Sequence, residues 1–178
     1  MIASQLEILT QGRLYLESIS ESEYTAIVSP NFISSVGEHI RHIIDHYLAL
    51  MSGLDTETVD YDVRRRGEKI ESTPQVAIEA IDRISSWINN LSDTDLDKSI
   101  TLSTEISITN KTVQTFRTSI ARELVFAGSH AVHHYAMIAQ IAFAQKTLVP
   151  EFFGIAPATA TFIREQELKN INSVSSAC

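Results

Sequence analysis

Apolar residues return every three or four positions through four long stretches of this chain, and that pattern limits it to packed helices. The first stretch spans 2–28, with Ile2, Leu6, Leu9, Leu14, Tyr15, Leu16 and Ile19 as its apolar set. The second runs from Ser35 to Met51 through Val36, Ile40, Ile43, Ile44, Tyr47 and Leu48. Ser34 or Ser35 could cap it, with Glu38 placed as the capping-box partner of Ser35, and Gly53 is a natural stop. The third opens at Thr73-Pro74, an N-cap followed by proline at the first helical position, and continues to Leu91. The fourth runs from Thr118 to Lys146, with Ile120, Leu124, Ala127, Ala131, His134, Ile138 and Ile141 in one stripe.

Only one segment breaks the period. Ile100, Leu102, Thr104, Ile106 and Ile108 alternate with Thr101, Ser103, Glu105 and Ser107, which is the spacing of a half-buried strand. A turn at 109–112 and a return over Val113–Arg117 predict a β-hairpin docked on the helices, because an isolated hairpin is marginal in water. The polar stretch 53–73 reads as a long loop. After Pro157 a short helix is expected, and 170–178 read as a flexible tail. The expected architecture is all-α: a four-helix bundle over 1–169 with a small hairpin between the third and fourth helices. The long 53–73 connection leaves simple up-down-up-down order open.

Composition excludes several classes. Fourteen Lys+Arg against 22 Asp+Glu leave a formal charge of −8, which opposes sequence-independent binding to nucleic acid. No apolar run approaches the roughly 20 residues of a membrane span. The N-terminus shows no basic region followed by an apolar block, so a cytoplasmic protein is expected. The one cysteine, Cys178, cannot form an intramolecular disulfide.

All six histidines fall in two short windows: His39, His42 and His46, then His130, His133 and His134. His130 and His134 lie one turn apart on the apolar stripe of the fourth helix, while His133 points away. His42 and His46 share a face of the second helix, with His39 beside them. Two helices of a bundle that each turn imidazoles inward are a common way to build a metal site there. A neutral imidazole offers one lone pair, and an i,i+4 pair sets two of them at chelating distance. A hydrogen-bonded network of histidines with Glu and Asp is the alternative. Helical spacing selects the 130/134 pair but does not choose among His39, His42 and His46. Glu123, on the same stripe, is a candidate general base or orienting carboxylate, or else a surface charge near the helix start. Asp45 could orient a ring, or else face solvent or pair with Arg41. Arg64 and Arg66 could grip a carboxylate, or simply be solvated. There is no HExxH, GxSxG, GxGxxG or GxxxxGK motif.

VGEHIRHIIDHY (36–47) with RELVFAGSHAVHHYAMI (122–138) resembles the DinB/YfiT-like family of metal-dependent enzymes, the DinB superfamily. FGIAPATATFI (153–163) is similar to that family's segment after the last bundle helix, and DYDVRRRGEKIE (60–71) looks like one of its branches. The resemblance implies a bundle of unusual crossover topology and a divalent metal held by three histidines. Its ligands would be His42, from the His42-Ile43-Ile44-Asp45 wording, with His130 and His134. His46 would then be a fourth ligand or a supporting donor, as could His39 or Asp45.

Imidazole suits zinc, nickel, iron and copper alike; zinc or nickel is the expected ion, with iron and manganese as further options. The family also implies a low-molecular-weight thiol in some members. The leading expectation is therefore a metal-dependent thiol S-transferase or hydrolase acting on a small molecule. The alternatives are a non-catalytic metal- or ligand-binding bundle linked to stress response, or a metal-free interaction module. A homodimer is compatible with the apolar first helix and the hairpin.

Overall fold

The computed structural model describes residues 1–63 and 65–175, with side chains through 169. Seven α-helices and three strands follow in order: α1 (Ile2–Ser18), α2 (Glu21–Thr25), α3 (Val36–Thr56), β1 (Thr58–Asp60), α4 (Pro74–Asn89), α5 (Asp93–Asp97), β2 (Ser99–Glu105), β3 (Val113–Ser119), α6 (Ile120–Gln145) and α7 (Pro157–Ser175). A 3-10 turn occupies Lys69–Glu71.

The bundle is built from α1, α3, α4 and α6. Helix α3 packs on α4 and α6, and α1 packs on the same two helices. Consecutive bundle helices α1 and α3 therefore stand diagonally, not side by side. This is a crossover order rather than an up-down meander. The core between them is dense and aliphatic, with Leu9, Ile40, Leu50, Ile84, Ile88, Leu124 and Ile138 almost wholly buried.

The structure corrects the expected boundaries for local reasons. The first helix stops at Ser18, not 28. Ser20 starts a new one, because its hydroxyl accepts from the Glu23 N–H while the Glu23 carboxylate takes the Ser20 N–H. Gly53 does not end α3; the helix continues to Thr56. Glycine is required there because a Cβ would strike Val59 of the adjoining strand. The same capping logic at Ser92 and Asp95 adds α5, which periodicity did not reveal. Helix α7 is not short. No Gly or Pro follows Pro157, so it runs to Ser175, beyond the boundary expected at 169. Residues 176–178, including Cys178, lie outside the described residues.

The 53–73 stretch is not a plain loop. Its β1 pairs in parallel with β2 in the register Thr58↔Thr101, Val59↔Leu102 and Asp60↔Ser103. The hairpin forms as expected, antiparallel from Ser99↔Ser119 to Glu105↔Val113, giving the sheet order β1-β2-β3. The strand register ends at Glu105, with one further bond from the Ile106 N–H to the Thr112 carbonyl, and the Ile106 and Ile108 side chains project into solvent. Strand β3 runs directly into α6, whose first turn is capped by the Ser119 hydroxyl accepting from the Arg122 N–H.

Past α6 the chain folds back. Phe153 stacks against Tyr15 and Tyr135, with ring centroids at 5.0 and 4.7 Å. Gly154, at φ 72°, lies where a Cβ would collide with the backbone of Tyr135 and Ala136. That close approach pins the segment onto α6.

Candidate metal centre

The two histidine windows meet because α3 and α6 pack directly on each other. Ser35 starts α3 with a complete capping box to Glu38, which sets the helical phase of everything after it. His42 and His46 then face α6, and His130 and His134 face α3. His130 Nε2 lies 2.9 Å from His42 Nε2, and His134 Nε2 lies 3.2 Å from His130 Nε2. Ring nitrogens of His42, His46 and His130 all lie within 4.8 Å of one another. Two nitrogens bound about 2.0–2.1 Å from a tetrahedral ion stand roughly 3.3 Å apart. The rings are thus spaced as ligands need to be, and the residues fit a divalent metal.

Hydrogen bonding helps fix which nitrogen is offered. His46 Nδ1 lies 2.9 Å from the carbonyl oxygen of His42. A carbonyl only accepts, so Nδ1 carries the proton and, in the neutral ring, Nε2 carries the lone pair. His134 Nδ1 lies 2.9 Å from His39 Nδ1, so one of those two rings donates to the other. Burial, more than the neighbouring imidazoles, pushes the His134 pKa down to about 3. His39 is also lowered, chiefly by burial, with Glu38 acting in the opposite direction. Both rings are therefore neutral at pH 7, the form that coordinates a metal.

Aromatic groups wall the cluster. Tyr61 stacks on His46 with centroids 4.8 Å apart and planes inclined by 18°. Phe126 stacks on His130 at 5.7 Å and leans on Tyr61 at 5.4 Å. The Tyr61 hydroxyl donates to Glu123 Oε2 at 2.8 Å. Burial and the Glu123 charge raise the Tyr61 pKa, so the phenol stays protonated. Glu123 Oε1 accepts from Thr118 Oγ1 at 2.7 Å and from Arg122 Nη1 at 2.8 Å.

Each residue singled out in the sequence has a definite place. His42, His46, His130 and His134 come together, and His39 joins them through His134. The set within 4.8 Å takes His46 as its third member, where the family resemblance names His134. His133 is exposed at the edge, as its helical angle implied. Glu123 is not a surface charge; it is fully buried and reaches the histidines through Tyr61. Asp45 makes its ion pair with Arg41, at 3.1 Å. Arg66 is exposed. Arg64 lies outside the described residues. Tyr61 and Phe126 are the members of this site that the sequence did not flag. For Phe126 a signal existed, since it lies one turn before His130.

Fold and site together define a helix bundle with an imidazole-rich candidate metal centre at the α3–α6 contact. The chain belongs to the DinB superfamily, whose family model matches residues 11–138. The crystal structure of a DinB-like protein, YjoA, from Bacillus subtilis superposes with a TM-score of 0.62 at 15% identity, covering 85% of this chain and 96% of that one. At that identity the likeness speaks for the fold alone. A curated relative, FK506-binding protein 5 of Rhizopus delemar, is 35% identical over 108 residues, which is 61% of this chain. The match takes in 28% of that longer protein.

Proposed function

We propose that the protein is a metal-dependent enzyme acting on a small molecule, as a thiol-dependent S-transferase or a hydrolase. The observation that carries this reading is the convergence of His42, His46 and His130 nitrogens within 4.8 Å, at the contact of two packed helices. A divalent ion, zinc or nickel by preference, would supply a Lewis acid there, able to activate water or a low-molecular-weight thiol. The chain's own residues do the rest. The histidines hold the ion as neutral donors. His42 binds through Nε2 and fixes the His46 tautomer through its backbone carbonyl. Phe126 and Tyr61 shield the rings from bulk water, which strengthens electrostatic interactions inside the site. Glu123 accepts from Tyr61, Thr118 and Arg122 and serves as an anchor for the tyrosine. This reading goes with a cytoplasmic setting, where thiols stay reduced. No described helix is long and apolar enough to cross a membrane.

The test is elemental analysis of protein purified without a nickel column, wild type beside His42→Ala and His130→Ala. About one equivalent of metal, lost in both variants, is the expected result. No metal in wild type, and none after dialysis against zinc, would overturn the reading. A second reading is favoured by the fourth imidazole: His134 Nε2 lies 3.2 Å from His130 Nε2. If His46 and His134 both bind, four nitrogens close a tetrahedral sphere, as in a structural site. The protein would then be a non-catalytic metal- or ligand-binding bundle. Absence of an exchangeable water on the bound metal would select that reading.

A further inference from the structure

Tyr61 occupies a position that neither helix spacing nor the histidine pattern explains. It follows β1 and is only 6% exposed. Its ring lies nearly parallel to that of His46, and its hydroxyl is held by a carboxylate with no solvent exposure at all. Glu123 in turn is fixed from two further directions, by Thr118 at the end of β3 and by Arg122. Strand β1 is held in place by its parallel pairing with β2 and by Val59, which is fully buried. A buried carboxylate left without donors is costly, so this arrangement defines the position of the Tyr61 hydroxyl closely. A ring so tethered at its far end leaves the His46 imidazole little freedom to rotate about its stem. The His46 backbone-directed Nδ1 bond constrains the same rotation from the opposite edge.

We infer that Tyr61 is a positioning residue for His46: tethered by Glu123, it holds that imidazole in the orientation of a metal ligand. The inference rests on the metal reading above and deepens it. It gives the 57–73 excursion a task, since β1 delivers Tyr61 to the site. It also makes His46 a ligand in this chain, beside His42 and His130. Residues that orient metal-bound histidines commonly change metal affinity by about 10–100-fold when they are replaced.

The experiment is a cobalt(II) titration of the whole chain, followed by the visible absorption of the bound ion. The proteins are wild type, Tyr61→Leu, Tyr61→Phe, His46→Ala and the double variant His46→Ala/Tyr61→Leu. Tyr61→Leu should weaken cobalt binding at least about 10-fold and shift the absorption band toward that of His46→Ala. The double variant should bind no more weakly than His46→Ala alone, because the tyrosine acts through that ring. Tyr61→Phe keeps the stacked ring but loses the tether, and should fall between wild type and Tyr61→Leu. Circular dichroism of the metal-free proteins checks the fold. If Tyr61→Leu does not fold, Tyr61→Phe carries the test. Wild-type affinity and band in the folded tyrosine variants would overturn the inference while leaving the metal site standing. So would a Tyr61→Leu loss that adds in full to that of His46→Ala. A wild type that takes up no cobalt overturns the metal reading itself, and this inference with it.

Discussion

Helix α3 carries two polar i,i+4 pairs one residue apart, Arg41 with Asp45 and His42 with His46, and they face different neighbours. Arg41 and Asp45 are 7% and 5% exposed and turn toward the segment after β1. Arg41 Nη1 meets Asp45 Oδ2 at 3.1 Å and its Nε meets Glu71 Oε1 at 2.9 Å. The Arg65 N–H adds a further donor to Asp45. Opposite charges there answer one another, and the cluster ties α3 to the 65–71 segment. The histidine pair turns toward α6, and its rings pack against His130, His134, Tyr61 and Phe126. The first cluster supplies its own counter-charges, with Asp45 Oδ1 left to a 3.9 Å ion pair with Arg65 and no hydrogen bond among the described residues; the second brings together imidazole nitrogens spaced to share a cation. The two faces thus differ in the kind of partner they present: opposite charges on one, a shared set of imidazole nitrogens on the other.

The largest effect should come from breaking the first cluster. Arg41→Ala leaves Asp45 and Glu71 without their shared cation, and removing one partner of a buried pair typically costs about 3–5 kcal/mol. Urea unfolding of the metal-free protein measures this, and metal uptake per folded molecule should be unchanged. The second cluster should behave in the reverse way. Metal at about 100 times its Kd should stabilise wild type by about 2.7 kcal/mol. His130→Ala should abolish that increment while changing the chelated protein little. Thermal melts with and without chelator read both quantities; an equal metal effect in the variant would end the contrast.

Gly37→Ala acts on the charged face alone, since a Cβ there would run into the Glu71 carbonyl oxygen. Overpacking of this kind costs about 1–3 kcal/mol. It should lower the unfolding midpoint and leave cobalt affinity as it was. Ser35→Ala is the smallest change, about 1 kcal/mol for a lost N-cap. Because it loosens the start of α3 for both faces, it should lower stability with and without metal by the same amount.

Much of this arrangement was legible because its signals are local. The Ser35–Glu38 capping box, the Thr73-Pro74 start and the period-two run through Ile100 and Leu102 all act within a few residues. The His130/His134 pair was readable for the same reason. The remainder depends on partners far along the chain. Strand β1 has three residues, and its mate lies beyond α4 and α5, so no periodicity could announce it. By sequence Glu123 is open between a general base, an orienting carboxylate and a surface charge, and only the cover of β3 and Tyr61 decides against the last. The choice of third ligand turns on side-chain direction at a helix contact, which spacing on one helix does not contain. The Ser20–Glu23 and Ser92–Asp95 boxes are different, since both were present in the sequence. They lie in stretches where the apolar pattern invited a single longer helix, or none.

The order in which the donors occur along the chain has a consequence for synthesis. His42 and His130 are separated by 88 residues. At roughly 5–20 residues per second, a ribosome needs on the order of 4–18 s to pass from one to the other. During that interval the nascent chain already offers the His42/His46 pair, a chelating half-site on a capped helix. On the metal reading, the emerging protein would present two of the donor nitrogens before the helix that carries the third exists. If the proposed site is filled at that stage, cellular metal supply in those seconds, rather than after release, would bear on which ion the finished molecule carries.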